Sequence, residues 1–266
     1  MTSTIDKLQA ILRRDLLTAV RHRSGFVVTL VGVFFELAAF YFLSRAIGPG
    51  FRPGGVEYFP FLLVGTGLYT FFVMSAQAFL SSVQEAQQTG TLEVLMTTST
   101  APAELVILSS ISAFARNLVN LAIYVFAGVA VFRASIQANF FSCALVLVFS
   151  LAIALALGIA AATLQVAFQK GSSVLWLLSS GLWLLSGTMF PTQSLPRPLE
   201  YVSRMVPFSY AIDGMRRALL EGQSPAAMSG TLAMLAAFAL VLLPLALIAL
   251  SLSLRRARQN GTLSYY

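Results

Sequence analysis

The residues that can do covalent or metal chemistry are few in this chain and stand apart. It has one histidine, His22, one cysteine, Cys143, and two lysines, Lys7 and Lys170. One histidine and one cysteine cannot form the tetrahedral ligand set of a zinc site. A Ser–His protease dyad inside a membrane is excluded because His22 lies outside every apolar stretch. Neither lysine follows a glycine-rich phosphate-binding loop, so the chain cannot bind ATP by that route.

Acidic residues are almost absent from the apolar stretches, where Glu36 is the clear exception. A lone carboxylate cannot form a two-carboxylate catalytic pair. It could contribute only one group to a proton relay. The single cysteine, Cys143, cannot form a disulfide within the chain, and we expect it to fill packing space. The sequence therefore predicts a protein that is not an enzyme, with no cofactor of its own.

Apolar stretches fill most of the 266 residues and predict the elements that must position any site. The composition is 58% hydrophobic and 10% charged, against roughly 25% charged in a soluble domain. A helix needs ~20 apolar residues to cross a bilayer. We predict an all-α integral membrane protein with six transmembrane helices, at about 26–43, 58–80, 105–132, 140–168, 174–190 and 231–254.

Basic residues predict the orientation of these spans. Nine lie on the side of the termini, five of them before the first span, while the short opposite loops hold three: Arg45, Arg52 and Arg133. Positive charge favours the cytoplasm, so we expect both termini there, in a prokaryotic cytoplasmic (inner) membrane. Four arginines within 191–221 oppose this count, but the first span usually dominates. The net charge of +7 fits topology and lipid headgroups and requires no nucleic acid partner.

The first 25 residues predict an amphipathic helix lying in the membrane interface. Apolar residues recur at helical spacing, and Lys7, Arg14 and Arg21 lie away from them, a pattern typical of interfacial helices. A solvated leader is the alternative. Residues 26–266 would then form the six-span membrane domain.

The connection between the second and third spans predicts a docking surface for a soluble partner. It contains no basic residue, although it should face the cytoplasm. Leu92 and either Leu95 or Met96 share one face of a short helix, while Glu93 points elsewhere. An ordinary polar turn would be less apolar than this segment.

The connection between the fifth and sixth spans predicts a half-inserted helical hairpin on the outer side. Pro191, Pro196 and Pro207 divide it into two short helices, each with an apolar stripe. An exterior ectodomain would be less apolar.

With both loops in place, the chain resembles the type-2 permeases of ATP-binding-cassette exporters over nearly its whole length. The resemblance is carried by 90–95 (Gly-Thr-Leu-Glu-Val-Leu), by Phe-Pro at 190–191 and Leu-Pro at 195–196, and by 207–213 (Pro-Phe-Ser-Tyr-Ala-Ile-Asp) with Arg216. Gln87 and Gln88 depart from it, because such permeases often carry charge there.

The resemblance implies partners and site residues. It implies two separate ATPase subunits that bind Mg-ATP, and a second copy of the chain or a homologous permease, all in membrane lipid. The coupling helix to the ATPase would involve Glu85, Gly90, Thr91, Leu92, Glu93 and Leu95. The hairpin lining the outer exit would involve Pro191, Pro196, Pro207, Tyr210, Asp213 and Arg216.

The predicted function is export by alternating access, driven by the partner ATPase. The substrate would be amphipathic or hydrophobic: a drug or antibiotic, a lipid, or a lipid-linked glycan. The alternative is an ion- or proton-coupled secondary transporter, which would need convergent intramembrane carboxylates or obvious repeats. A purely structural membrane subunit is a third possibility.

Glu36 and Arg116 lie at similar predicted depths, ~15–17 Å from the starts of their spans. Two opposite charges at one depth can pair, with Asn117 and Asn120 satisfying the remaining hydrogen bonds. Each can instead face a wet substrate path by itself, and the sequence leaves both possibilities open.

Overall fold

The computed structural model describes residues 23–90, 102–168 and 171–260. Within those ranges the chain forms eight α-helices, two short 3-10 helices and no strand. The helices are α1 (Arg23–Ile47), α2 (Tyr58–Gln88), α3 (Pro102–Ala130), α4 (Phe140–Phe168), α5 (Gly171–Leu185), α6 (Arg197–Arg204), α7 (Pro207–Leu219) and α8 (Ser229–Asn260). The predicted all-α class is confirmed.

Five helices are long and apolar enough to cross a membrane: Val27–Ile47, Tyr58–Gln88, Ser110–Ala130, Phe140–Phe168 and Ser229–Ala257. The fifth predicted span, 174–190, corresponds to α5, which has 15 residues. That is a length of about 22 Å at 1.5 Å per residue, short of the ~30 Å hydrocarbon layer. Six full spans are therefore not seen in the described residues.

The fifth predicted span extends beyond the C-terminal end of α5, because the apolar residues continue into the turn that follows the helix. α5 ends at Leu185, and Gly187 follows in the left-handed region with φ of 73°. Met189 is apolar because it packs against Tyr58 and Phe61 at the start of α2, not because it lies in a helix. Hydropathy alone cannot separate these two reasons.

Two short helices, α6 and α7, lie where the prolines predicted them. Pro196 precedes α6, and Pro207 is the first residue of α7. Proline suits the first helical position because the missing N–H has no intrahelical partner there. The depth of this hairpin in the membrane stays a prediction.

α2 is the central helix of the molecule. In its most apolar stretch 83% of residues are buried, against 6% for α1. It packs against α3, α4 and α7, while α8 packs along α4. The Phe72 ring of α2 stacks on Phe208 of α7, with ring centroids 4.6 Å apart. A displacement of α2 would therefore also displace the helices that pack against it, which are most of the bundle.

Several predictions lie outside the described residues. Residues 1–22 hold most of the predicted interfacial helix, and 91–101 hold most of the predicted docking surface. The described part of α1 begins at Arg23, the first residue after 1–22, so the boundary predicted at 25–26 stays a prediction.

Candidate functional site

A buried arginine on α7 ties three elements together. The Arg216 side chain donates from Nε and Nη2 to the Phe61 carbonyl at 3.2 and 3.0 Å. Nη1 donates to the Gly187 carbonyl and Nη2 to that of Thr188, both at 2.8 Å. The guanidinium also lies 3.4 Å from the centroid of the Phe61 ring. We call this arrangement, formed by Arg216, Phe61, Gly187 and Thr188, the Arg216 clamp.

Local structure explains why these carbonyls are available. Gly187 and Thr188 lie in the turn that follows the end of α5 at Leu185, so their carbonyls are outside the hydrogen bonds of the helix and can accept from Arg216. Gly65 leaves room for the guanidinium, because a Cβ there would lie 2.3 Å from Arg216 Nη2 and 2.4 Å from the Thr188 oxygen. A larger residue at position 65 would displace the clamp.

The clamp holds a charge in a buried place. Arg216 is 7% exposed. Burial lowers the pKa of its guanidinium to about 9, and Asp213 opposes that shift. The side chain therefore stays protonated at neutral pH, and the carbonyl dipoles and the Phe61 ring supply its compensation.

Serine hydroxyls attach the hairpin to the end of α5 as well. Ser203 Oγ donates to the Leu185 carbonyl at 2.7 Å, and Ser209 Oγ donates to the same oxygen at 3.3 Å. The Ser186 and Thr188 hydroxyls lie 2.6 Å apart and share a hydrogen bond. The hairpin, the end of α5 and the start of α2 thus form one connected unit.

The other predicted hairpin residues have local contacts. Pro191 and Pro196 flank the 3-10 helix Thr192–Ser194, and the Tyr210 ring lies 5.7 Å from that of Phe238. Asp213 pairs with Arg217 at 2.9 Å and not with Arg216. Sequence reasoning missed Phe61, Gly65, Gly187, Thr188 and Ser203, since none of them belongs to the motifs that carried the resemblance. It also gave no role to Ser209, which lies within the motif 207–213.

A second polar cluster lies at the opposite end of α2. Gln165 Nε2 on α4 donates to Gln87 Oε1 at 2.9 Å, and Gly171 N–H donates to Gln165 Oε1 at 3.0 Å. Both glutamines are 1% exposed. Gln87, which departs from the pattern of the resembling permeases, therefore joins α2 to α4 and α5.

Only part of the predicted docking surface can be placed. Glu85 is exposed near the end of α2, and Gly90 turns the chain with φ of 68°. Thr91, Leu92, Glu93 and Leu95 lie outside the described residues. The docking role of this surface stays a prediction.

An intramembrane polar chain joins the first three helices. The Tyr124 hydroxyl of α3 donates to Glu36 Oε1 of α1 at 3.4 Å. It also shares a hydrogen bond of 2.9 Å with Thr66 Oγ1 of α2. Glu36 itself is exposed on this chain, whereas Tyr124 and Thr66 are buried.

Glu36 and Arg116 do not form an ion pair within this chain. Arg116 precedes Tyr124 by eight residues on α3, a separation of about 12 Å along the helix axis. Because Tyr124 is the residue that meets Glu36, Arg116 lies about two turns away. Asn117 and Asn120 are half-buried on the same helix. Separate roles along a substrate path stay a prediction.

An apolar cleft of about 740 Å³ opens between α2, α3, α4 and α7. Its lining includes Leu68, Leu121, Phe140, Leu147 and Met215. Such a surface can accept acyl chains or other apolar groups, but it offers almost nothing to a polar molecule.

The chain matches a known protein family. A protein-family model described as ABC-2 type transporter matches residues 6–220, which is more than half of the chain. The match includes α2, the segment 91–101 and the Arg216 clamp. No curated protein matches the chain.

Proposed function

This chain belongs to the ABC-2 type transporter family and is an integral membrane permease, and from that premise we propose that it is the transmembrane subunit of an ATP-driven exporter. Two partner ATPase subunits would hydrolyse Mg-ATP. The permease would make and break no covalent bonds, and would move its substrate out of the cytoplasm or the inner leaflet.

The observation that carries the proposal is the position of α2. This helix has 31 residues, a length of about 46 Å. One end carries Gln87 and leads directly into the predicted coupling segment. The other end carries Phe61 of the Arg216 clamp and Gly65, which leaves room for the guanidinium. A displacement of the coupling segment would therefore reach the hairpin through one continuous helix.

The mechanism follows from differential binding of two conformations. When ATP closes the partner subunits on each other, coupling segments docked on them move with them. α2 would carry that movement to the clamp, and the hairpin would follow the end of α5. A ligand can shift such an equilibrium only by its difference in affinity for the two states. Here that ligand is the closed ATPase dimer.

The exposed carboxylate of Glu36 supports a second permease subunit. A charged group facing lipid at the bilayer centre costs about 2.5–3.5 kcal/mol on insertion scales. Glu36 lies on the exposed side of α1, beyond the reach of Arg116. A second copy or a homologous permease against this face, or a wet path between two such faces, would remove the cost.

The apolar cleft supports an amphipathic or hydrophobic substrate. Its walls come from α2, α3 and α4 together with α7, which is the hairpin helix that bears the clamp. A drug or antibiotic, a lipid or a lipid-linked glycan each carries an apolar part that fits this lining.

Coupling to an ATPase can be tested by reversing one acidic charge. We expect Glu93→Arg to insert normally into the membrane but to weaken ATP hydrolysis by a complex reconstituted with the co-purified ATPase. Glu221→Arg, an exposed reversal at the far end of the hairpin, is the matched control. If both variants hydrolyse ATP like the parent, the docking role is wrong.

A further inference from the structure

A second cavity, of about 710 Å³, lies where α1 and α3 end and α2 begins. We call it the arginine pocket, because Arg45, Arg52 and Arg133 line it. Five aromatic side chains complete much of the wall: Tyr41, Phe51, Tyr58, Phe59 and Phe132. The polar contacts of the permease bundle described above do not involve it.

The pocket has an excess of positive charge. Glu57 is its one lining carboxylate, and it accepts a hydrogen bond from Ser135 Oγ at 3.3 Å. Arg45 donates from Nε and Nη2 to the Tyr41 hydroxyl at 3.3 and 2.9 Å. In the described part of the chain, the guanidinium groups of Arg52 and Arg133 meet no protein acceptor. These two guanidinium groups are therefore available to bind a ligand.

The backbone at Arg133 points to a role beyond local structure. Its φ of 53° makes it the one non-glycine residue in the left-handed region among the described residues. The Ala134 N–H reaches back to the Gly128 carbonyl at 3.1 Å and closes this turn after α3. Glycine is the usual residue at such helix ends, because a Cβ atom in the left-handed region lies too close to the backbone. Residues kept against such strain cluster at ligand sites.

We propose that the arginine pocket binds the phosphate of an anionic lipid headgroup. Guanidinium groups bind phosphate oxygens through paired, charge-assisted hydrogen bonds. Free phosphate shares that chemistry, but the aromatic walls favour a headgroup. Tyrosine is enriched at the membrane–water interface, where the ends of α1 and α3 place the pocket, and Tyr41 and Tyr58 are part of its wall. The bound lipid would bridge α1, α2 and α3 at the end of α2 remote from the coupling segment.

The test compares short-chain lipids on the purified full chain in a neutral detergent. We expect dihexanoyl phosphatidylglycerol to bind at least about tenfold tighter than dihexanoyl phosphatidylcholine. Both lipids carry the phosphate, but the choline cation of phosphatidylcholine is repelled by the guanidinium groups that line the pocket. Inorganic phosphate at the same concentration should not displace it. Arg52→Gln combined with Arg133→Gly should abolish the preference, and Arg197→Gln, an exposed arginine outside the pocket, should retain it.

Arg133→Gly separates binding from structure. Glycine adopts the observed φ without strain, so this variant should unfold at the parent's temperature or above while binding phosphatidylglycerol more weakly. Equal affinity for the two lipids, or an unchanged preference in the double variant, overturns the proposal. Full displacement by inorganic phosphate overturns the lipid assignment and indicates a free-anion site. If the double variant does not fold, the lipid preference of Arg52→Gln alone tests the proposal.

Discussion

At the scale of single residues, Arg216 shows how the chain accommodates a charge away from water. Four hydrogen bonds run from its guanidinium to three main-chain carbonyls. A planar group with five fixed donors suits such a set, whereas the ammonium of lysine does not. The motif marked Arg216 as part of the hairpin. Its burial could not be predicted, because its partner Phe61 lies 155 residues away in the chain.

Removing the clamp should destabilise the protein strongly. Arg216→Gln leaves the carbonyls of Gly187, Thr188 and Phe61 short of donors, and each buried acceptor left unsatisfied costs about 1–3 kcal/mol. Arg217→Gln is the neighbouring control, since its pair with Asp213 is surface-exposed and worth about 0–1 kcal/mol. Thermal unfolding of the two variants in detergent measures the difference. Equal stability of both would mean that the clamp contributes nothing.

Glu36 should be coupled to Tyr124 and not to Arg116. Glu36→Gln with Tyr124→Phe should depart from additivity by roughly 0.5–3 kcal/mol, as residues in contact do. Glu36→Gln with Arg116→Gln should be additive, because those side chains are about two helical turns apart. The two double-mutant cycles, measured by unfolding, decide between these partners. A large coupling to Arg116 would place that residue beside Glu36 in the assembled complex.

At the scale of elements, hydropathy predicted the apolar helices well and their ends less well. It failed at 186–190, a turn in which Met189 packs on the start of α2. Proline positions predicted the starts of α6 and α7, since proline acts through local geometry. The central place of α2 could not be predicted, because every apolar span looks alike until its neighbours are known.

The hairpin should be protected along its buried faces. Cysteines should be introduced singly into a Cys143→Ala background, since Cys143 is the chain's own thiol. A membrane-impermeant maleimide should label positions 197 and 223 but not positions 206 and 215, where Val206 and Met215 are 8% and 9% exposed. Uniform labelling along the segment would indicate a solvated ectodomain.

At the scale of the whole molecule, the composition alone predicted a membrane protein that does no covalent chemistry. Two loop motifs predicted the family to which the chain belongs. The stoichiometry of the complex, the orientation in the membrane and the identity of the substrate depend on the partner subunits and on the bilayer. The contacts within one chain do not specify them. The proposed account connects the levels through α2, which joins the coupling segment to the Arg216 clamp.

The most direct test of that account follows the hairpin while nucleotide binds to the partner. The rate of maleimide labelling at Arg197→Cys, in the Cys143→Ala background, is measured in the reconstituted complex without nucleotide and with ATP and vanadate. We predict a several-fold change in rate on trapping, and loss of that change when Glu93→Arg is added. An unchanged rate, or the same change in the Glu93→Arg complex, would contradict transmission from the coupling segment through α2.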